Sequence, residues 1–317
     1  MYIPTYDDVL TAHERIRPWI HRTPVLTSET LDRMSGAELL FKCENLQKAG
    51  AFKVRGATNA VFSLTEEQAR RGVATHSSGN HALSLSRAAG CRGIPGTVIM
   101  PETASKAKMR AVEGYGGEII TCRPSLEDRE RTLNALVERT GANFVHPYND
   151  HRVIAGQATC SLELHEDAGP LDAVVAPIGG GGMISGTSLT ISSIAPHTRI
   201  YAAEPANADD AYRSFHAGRI IEDDAPDTVA DGLRVSLRDL TWHFVSSYVT
   251  GILLATEEEI IDAMRLVWER MKLVIEPSSA VAVAAILKNP ELFRGQRVGV
   301  IVTGGNVDLY KLPWLQQ

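Results

Sequence analysis

The sequence lacks the features that would take it to a membrane or to nucleic acid. None of its apolar runs approaches the roughly 20 residues that a membrane-spanning helix needs, and residues 280–287 are among the longest. Residues 1–8 contain neither the charged stretch nor the apolar core of a signal peptide. The net charge of −6 provides no positive field for nucleic acid. We therefore expect a cytoplasmic protein without a membrane or nucleic-acid partner.

Cysteine is scarce and dispersed. The four cysteines (Cys43, Cys91, Cys122 and Cys160) lie far apart, and none forms a pair with the spacing of a metal site. We expect reduced thiols, as in a cytosolic protein. Repeats, charge blocks and low-complexity stretches are also missing. The remaining composition is ordinary: 317 residues, 44% of them hydrophobic and 22% charged, suit a soluble globular protein of two domains.

Strand-like and helical patterns alternate along the chain. Three apolar stretches indicate buried strands, at residues 172–177, 199–203 and 297–302. The apolar spacing over residues 7–20 predicts a helix. The alternation predicts an α/β fold with open, twisted, mostly parallel sheets and helices on both faces. Residues 72–148 show a strand–helix alternation of their own, which predicts a compact unit within the chain.

A run of four glycines follows the first of these strands. It consists of Gly179, Gly180, Gly181 and Gly182 and leads through Met183 into an apolar helix. Successive backbone N–H groups can face one concavity there, and the helix adds its positive end, so the loop predicts a phosphate cradle. A flexible turn is the alternative. A dinucleotide fingerprint is not met, because Ser185 or Ile184 stands where its third glycine belongs, and the Gly-Lys-Ser/Thr of a nucleoside triphosphate loop does not follow.

Lys53 occurs in a setting that can make an amine reactive. It follows Phe52 and the turn-forming Gly50, and it opens a run of helix formers. A lysine held where its ammonium group is partly desolvated can lose its proton and attack a carbonyl. Together with the phosphate cradle, this setting predicts a Schiff-base lysine that carries pyridoxal phosphate.

Two further polar segments could complete such a site. Ser77, Ser78, Asn80 and His81 precede a helix, and their donors suit a carboxylate or a phenolic oxygen; a simple helix N-cap is the alternative. Thr303 follows the last strand and could bond a ring nitrogen, although a capped turn is equally consistent with the sequence.

An acidic segment suggests a cation. Residues 204–210 offer two side-chain carboxylates and a backbone carbonyl at a spacing that suits Mg²⁺ or Ca²⁺, with waters completing the coordination. From the residues alone, the better interpretation is a helix with acidic residues in its first turn.

In this order, the motifs resemble the serine/threonine dehydratase and serine racemase family of pyridoxal-phosphate enzymes. The resemblance runs from residues 21–25 to residues 304–309, and it is most specific at Ala51-Phe52-Lys53-Val54-Arg55-Gly56-Ala57, at Ser77-Ser78-Gly79-Asn80-His81 and at the glycine loop. It implies fold type II, the two-domain architecture of the tryptophan synthase β type. Residues 1–71 and 149–317 would form a large cofactor-binding domain, and residues 72–148 a small mobile one.

The resemblance implies a role for each motif. Lys53 would hold the cofactor as a Schiff base and later remove the substrate's Cα proton, with Phe52 beside the cofactor. Residues 179–183 would hold the phosphate, Asn80 would contact the phenolic oxygen, and Thr303 would lie at the pyridine nitrogen. The family also implies a homodimer and a divalent cation at Glu204, Ala208 and Asp210, with Mg²⁺ favoured over Mn²⁺ or Ca²⁺.

The implied substrate is a small amino acid. Its α-carboxylate would be bound by Ser77, Asn80 and His81, and Ser78, also at the substrate, would act as acid or base on the face opposite Lys53. Val235 stands where racemases have a serine near the substrate, which weakens the expectation of racemase activity on serine. Ala51 and Ala82 are further departures from the racemase pattern.

Arg129 is the residue on which the expected substrate depends. It aligns with an arginine of serine racemases that faces a second carboxylate, and a guanidinium fork matches a carboxylate well. The alternative is an exposed helix arginine paired with Glu127 or Glu130. We expect a dehydratase (ammonia-lyase) that converts 3-hydroxyaspartate to oxaloacetate and ammonia. A serine/threonine dehydratase or a serine racemase is the alternative, and a non-catalytic pyridoxal-phosphate-binding protein is a candidate from a different class.

Overall fold

Two β-sheets organise the chain. The structure is a computed structural model that describes residues 1–223 and 225–315. Within these residues the larger sheet has six strands in the order β1-β2-β10-β7-β8-β9. Its strands are β1 (Val25–Leu26), β2 (Glu38–Cys43), β7 (Ala173–Pro177), β8 (Arg199–Pro205), β9 (Gly251–Ala255) and β10 (Arg297–Val302). The β1–β2 pair is antiparallel and the other neighbours are parallel, so the prediction of a mostly parallel sheet is confirmed.

The smaller sheet is built from the middle of the chain. Its four strands within the described residues are parallel, in the order β5-β4-β3-β6. They are β3 (Val73–His76), β4 (Gly96–Pro101), β5 (Glu118–Cys122) and β6 (Asn143–Phe144). All four lie inside residues 72–148, the expected small unit, whose mobility stays a prediction.

Helices surround both sheets. They are α1 (Tyr6–Ile16), α2 (Glu29–Ser35), α3 (Lys53–Phe62), α4 (Glu66–Arg70), α5 (Asn80–Arg92), α6 (Lys106–Gly114), α7 (Leu126–Thr140), α8 (His151–Ala168), α9 (Gly182–Ile194), α10 (Asp210–Ala217), α11 (Asp239–Tyr248), α12 (Glu257–Met271), α13 (Pro277–Lys288) and α14 (Pro290–Phe293). In the larger sheet, alternate strand residues pack on opposite sides: Val174 lies with Ile184 of α9, and Val175 lies with Val281 of α13. The α/β prediction is therefore confirmed. Within the described residues, no helix is both long and apolar enough to cross a membrane.

Glycines allow α3, α8 and α9 to pack very closely. A Cβ added to Gly156 of α8 would lie 2.6 Å from the Cα of Gly56 in α3, and one added to Gly186 of α9 would lie 2.6 Å from the Ala158 backbone nitrogen. Both distances are too short for a side chain. The first contact brings α3, which begins at Lys53, directly against α8, and the second brings α9 against α8.

A network of buried charges lies beneath the start of α3. The Arg55 guanidinium donates to Glu44 (Nε to Oε2, 2.8 Å) and to Glu163 (Nη2 to Oε2, 2.7 Å). The Lys42 ammonium donates to Glu163 (2.8 Å) and to the Thr23 carbonyl (2.7 Å). Lys42, Glu44, Arg55 and Glu163 are all buried. Two positive and two negative charges compensate one another, as buried ions require.

Candidate active site

Lys53 lies between the two sheets. The Phe52 N–H donates to the Thr303 carbonyl (2.9 Å), directly after β10, so the start of α3 is attached to the carboxyl end of the larger sheet. The Lys53 ammonium donates to the Pro147 carbonyl (2.9 Å), which follows β6 of the smaller sheet. Carboxyl ends of parallel strands are where open α/β sheets place ligands.

The amine of Lys53 is easier to deprotonate than an ordinary lysine. Burial lowers its pKa from 10.5 to about 8, and the neighbouring Glu276 carboxylate opposes part of this fall. Such a fall raises the uncharged fraction of the amine at pH 7 by roughly 300-fold. An uncharged amine is the form that attacks a carbonyl, so the side chain suits a Schiff base.

The glycine loop connects β7 to α9, and protein surrounds every one of its four glycines. A Cβ at Gly179 would lie 2.7 Å from the Cα of Leu233, and one at Gly181 would lie 2.7 Å from the side chain of Leu237. The ring of Tyr148 would be 2.6 Å from a Cβ at Gly180, and the Cβ of Tyr148 would be 2.8 Å from one at Gly182. Gly181 also has a φ of 85°, which favours glycine. The loop is therefore a packed element, and the flexible-turn interpretation is wrong.

This loop fits a phosphate. Its four glycines carry no side chains that could block an anion, and α9 begins within the loop at Gly182, so the positive end of the helix adds to the backbone N–H groups. Met183 is buried in the first turn of α9.

We predict that Gly180→Ala weakens cofactor binding at least about 10-fold, because the new Cβ must displace the Tyr148 ring or the loop backbone. Equilibrium dialysis of pyridoxal phosphate against the variant measures this change. Gly114→Ala is the matched control, since a Cβ there meets no atom within 4 Å. An unchanged dissociation constant for Gly180→Ala would show that the loop does not hold the cofactor.

Asn80 is oriented by two residues that are distant in sequence. Its Nδ2 donates to Glu276 Oε1 (2.8 Å), and its Oδ1 accepts from Asn306 Nδ2 (2.9 Å). Burial raises the pKa of Glu276 to about 8, and the negative charge of Asp231 contributes to the rise. One N–H of Asn80 remains for a ligand, which fits a phenolic oxygen. The N-cap of α5 is Gly79 and Asn80 is the first residue of the helix, so the interpretation of Asn80 as a simple N-cap is wrong.

The neighbouring polar residues are Ser77 and Ser78, in the loop before α5, and His81, in the first turn of α5. His81 is buried, with Nε2 3.2 Å from the Val145 carbonyl, and its Nδ1 has no partner among the described residues. Burial, with a contribution from Lys53, lowers the pKa of His81 to about 3, so the imidazole is neutral. Ser77 Oγ accepts from the Gly79 N–H (3.3 Å), and Ser78 is half-buried beside it.

Thr303 is buried at the end of β10 with a second hydroxyl. Its Oγ1 lies 2.9 Å from Ser279 Oγ, which in turn donates to the Gly304 carbonyl (2.7 Å). Two neutral hydroxyls could bond a ring nitrogen without holding it protonated. The amine, the phosphate cradle, the oriented amide and the hydroxyl pair together fit pyridoxal phosphate.

Comparison with known proteins agrees with this geometry. Residues 16–304 match the family described as pyridoxal-phosphate dependent enzyme. The chain belongs to this family. Its cofactor is therefore pyridoxal phosphate.

Several members of the family are similar over their full length. A beta-hydroxyaspartate dehydratase of Paracoccus denitrificans (strain Pd 1222) is 65% identical over 314 residues, 99% of this chain and 100% of the relative. The crystal structure of serine racemase from Dictyostelium discoideum is 48% identical, covers 96% of this chain and 99% of that one, and has a TM-score of 0.93. The structure of maize serine racemase is 45% identical, covers 99% of this chain and 97% of that one, and has a TM-score of 0.96.

In this pyridoxal-phosphate enzyme, Arg129 lies in the first turn of α7. Its Nε donates weakly to the Ser125 carbonyl (3.3 Å). Among the described residues it forms no ion pair with Glu127 or Glu130, so the alternative pairing is not observed. Burial, followed by the charge of Arg129, lowers the pKa of His76, the residue directly before Ser77. The charge of Arg129 therefore reaches His76 at the end of β3, directly before Ser77.

The acidic segment combines both sequence interpretations. Glu204 accepts from the backbone N–H groups of Ala211 (2.8 Å) and Tyr212 (2.7 Å), so it caps α10. Burial, then the charge of Asp210, raises the pKa of Glu204 well above its usual range, and burial raises the pKa of Asp210 to about 6. Asp210 Oδ2 is buried and has no partner among the described residues. This orphaned oxygen fits a cation.

A cation here would need backbone and water oxygens. Within residues 1–223 and 225–315, no three His, Cys, Asp or Glu side chains group as metal ligands do. Two carboxylates, the Ala208 carbonyl and waters match the oxygen preference of Mg²⁺ or Ca²⁺.

Sequence reasoning missed Glu276 and Tyr148. Each reaches the site from a part of the chain distant from Lys53 in sequence, and neither belongs to a local motif that could have pointed to it.

Proposed function

We propose that this pyridoxal-phosphate enzyme is a dehydratase that converts 3-hydroxyaspartate to oxaloacetate and ammonia. The observation that carries the proposal is Arg129, which has no ion-pair partner among the described residues and whose charge reaches His76, directly before Ser77. A guanidinium placed there can bind a second carboxylate, which serine and threonine lack. The similarity to the beta-hydroxyaspartate dehydratase of Paracoccus denitrificans supports the same substrate.

The chain's residues have distinct parts in this reaction. Lys53 holds the cofactor and then takes the Cα proton with its uncharged amine. The glycine loop holds the phosphate, and Asn80 donates to the phenolic oxygen with its free N–H. Ser77 and His81, together with the backbone N–H of Asn80, bind the α-carboxylate. When bound, pyridoxal phosphate withdraws electrons from Cα and so permits loss of the proton and of the β-hydroxyl. The water that is expelled is consumed again when oxaloacetate and ammonia are released.

Ser78 supports a second activity. A hydroxyl on the face opposite Lys53 can return a proton to Cα, which would racemise the substrate instead of dehydrating it. The similarity to a serine racemase is the observation behind this candidate. Val235, which is exposed, offers no hydroxyl where racemases have a serine, so we expect elimination to dominate.

A substrate panel tests both activities. Keto-acid release is measured with serine, threonine and each stereoisomer of 3-hydroxyaspartate, and the recovered substrate is analysed on a chiral column. We expect one or more hydroxyaspartate isomers to react fastest, with little inversion. Threonine reacting as fast or faster would contradict the proposed substrate. Bleaching of the cofactor band without ammonia release would indicate a binding protein.

We further propose a divalent cation, Mg²⁺ first, at Glu204, Asp210 and the Ala208 carbonyl. Chelation with EDTA should lower the melting temperature by about 3–8 °C, because a cation bound at 100 times its Kd contributes about 2.7 kcal/mol. Asp210→Asn should lose this response, whereas Asp209→Asn, whose residue pairs with Arg213 (2.7 Å), should keep it. An unchanged melting temperature and activity of the wild type in EDTA would contradict the cation site.

The small unit and the assembly complete the proposal. Lys108 of α6 pairs with Asp231 (3.0 Å), which joins the unit of residues 72–148 to the larger one at an exposed position. An exposed ion pair of this kind contributes little to stability and can open, which is compatible with a small domain that moves.

We also infer a homodimer from the family resemblance, and sedimentation equilibrium measures the mass of the assembly.

A further inference from the structure

A polar cavity of about 430 Å³ opens between α1, the corner where α3 leads into α4, and the start of α8. None of the residues that the proposed function places at the cofactor, the substrate or the cation lines it. Its lining is mostly polar and includes the charged residues Asp8, Arg15 and Arg152. The volume lies within the range of small-molecule sites, roughly 300–1,000 Å³. The cavity therefore has the size and the polarity of a site for a small polar molecule.

Arg15 brings a positive charge to this cavity without a counter-charge. Its Nη1 donates to the side-chain oxygen of Asn59 (2.6 Å), which is a neutral partner. Among the described residues, Arg15 forms no ion pair with a carboxylate. The side chain is half-buried, so solvent replaces such a partner only in part. Its remaining N–H groups can donate to an anion, for which a guanidinium fork is well suited.

Asn59 fixes the position of this charge from inside the protein. Its Oδ1 accepts from Arg15, and its Nδ2 donates to the Arg152 carbonyl in the first turn of α8 (2.7 Å). Asn59 is only 3% exposed. A buried amide that is bonded at both ends has little freedom to move, so the Arg15 guanidinium is held in place before any ligand arrives. Such preorganisation lowers the entropy that a ligand must lose on binding.

The start of α8 adds a second guanidinium. Asp150 holds Arg152 through Nε (3.0 Å) and Nη2 (2.6 Å), which leaves its Nη1 without a partner among the described residues. Arg15 and Arg152 therefore line one cavity from two different helices. A carboxylate offers two oxygens and is commonly satisfied by one guanidinium fork, whereas a phosphate monoester offers three oxygens that can accept from both groups.

The other part of the lining suits hydroxyl groups. Asp8 lies two turns before Arg15 on α1, and seven residues of a helix span about 10.5 Å. Its Oδ2 accepts from Tyr2 and Thr5, whereas its Oδ1 has no partner among the described residues. Gln68 accepts from the Thr65 N–H with its Oε1 (2.9 Å) and keeps its amide N–H groups. A free carboxylate oxygen repels a second anionic group but accepts from a hydroxyl.

We propose that this cavity binds a phosphorylated polyhydroxy compound, with its phosphate at Arg15 and Arg152 and its hydroxyl groups toward Asp8 and Gln68. The ligand class follows from the lining, which offers two guanidinium groups to an anion and a carboxylate oxygen and an amide to hydroxyls. The proposal does not depend on which amino acid the enzyme dehydrates.

Isothermal titration calorimetry of the holoenzyme tests this site. Pyridoxal phosphate already occupies the glycine loop in the holoenzyme, so the phosphate of a probe cannot bind there. The probes are sorbitol 6-phosphate, which has no aldehyde that could react with an amine, inorganic phosphate and sorbitol. We expect sorbitol 6-phosphate to bind once per chain and at least about 5-fold more tightly than inorganic phosphate, because its hydroxyls add hydrogen bonds. Sorbitol alone should give no saturable heat.

Two variants place the binding in this cavity. Arg15→Gln removes the charge and should weaken sorbitol 6-phosphate binding at least about 10-fold, since hydrogen bonds to charged groups are the stronger ones. Thr11→Glu alters an exposed position of the lining, one turn before Arg15, and should weaken binding similarly because its carboxylate pairs with Arg15 and repels the phosphate. Arg17→Gln is the matched control, since Arg17 is exposed at the end of α1 and does not line the cavity.

The visible band of the bound cofactor checks that each variant is folded. Absence of saturable sorbitol 6-phosphate binding to the wild type would overturn the proposal. So would wild-type affinity in both Arg15→Gln and Thr11→Glu. Inorganic phosphate binding as tightly as sorbitol 6-phosphate would overturn the assignment of Asp8 and Gln68 to the ligand's hydroxyls. Failure of the substrate panel would leave these affinities unchanged, so the two proposals fail separately.

Discussion

Lys53→Ala is expected to lower oxaloacetate release from 3-hydroxyaspartate by more than about 10³-fold. General acid–base catalysis alone contributes about 10²- to 10⁴-fold, and this variant loses both the base and the covalent attachment of the cofactor. The part-buried position and the lowered pKa, about 8, single out this amine for both tasks. Coupled reduction of oxaloacetate measures the rate, and the visible absorbance of the lysine-bound cofactor should disappear with it.

Lys106→Ala is the control for this variant. Lys106 is exposed at the start of α6, so its loss should leave both the rate and the spectrum unchanged. If Lys53→Ala kept more than a tenth of the wild-type rate, another group would have to be the base.

Arg129→Ala should lower kcat/KM for 3-hydroxyaspartate by about 30- to 1000-fold and for serine by less than about 3-fold. Removing one partner of a hydrogen-bonded charge pair costs about 2–5 kcal/mol, and only the diacid has the distal carboxylate that forms this pair. Arg129→Lys should recover part of the loss, because an ammonium keeps the charge and loses the bidentate fork. Steady-state kinetics on both substrates measure the difference.

Arg131→Ala is the matched control on the same helix. Arg131 is exposed and pairs with Asp128, so its removal should change neither substrate's kcat/KM. Equal losses on serine and 3-hydroxyaspartate in Arg129→Ala would assign Arg129 a structural role and remove the main support for the diacid substrate.

The chemistry-bearing motifs could be predicted because each is contiguous in sequence. The residues next to Lys53 and to the four glycines in sequence indicate what each motif does. The structure brings both motifs to the carboxyl ends of strands, β10 and β7 respectively. Glu276 could not be predicted, since its partner Asn80 is 196 residues away and a lone glutamate gives no local signal. Tyr148 could not be predicted as a site residue either, because an aromatic residue after a strand is usually part of the core.

Errors in the secondary structure have similar causes. The helix predicted over residues 7–20 ends at Ile16, because Pro18 lacks an N–H and disfavours helical geometry in the residue before it. The strand β9 (Gly251–Ala255) was not predicted, because a run of five mostly apolar residues is too short for its periodicity to distinguish a strand from a helix. Its pairing with β8 settles the question through tertiary contacts.

The buried charge network of Lys42, Glu44, Arg55 and Glu163 helps to fix the direction in which the Lys53 side chain points. Successive residues of an α-helix are about 100° apart, so Lys53 and Arg55 leave α3 on nearly opposite sides, roughly 200° apart. Any rotation of α3 about its axis that swung the amine away would also pull Arg55 from Glu44 and Glu163, and breaking a buried ion pair costs about 3–5 kcal/mol. The orientation of the Lys53 amine is therefore held by two buried ion pairs, Arg55–Glu44 and Arg55–Glu163, that lie outside the site.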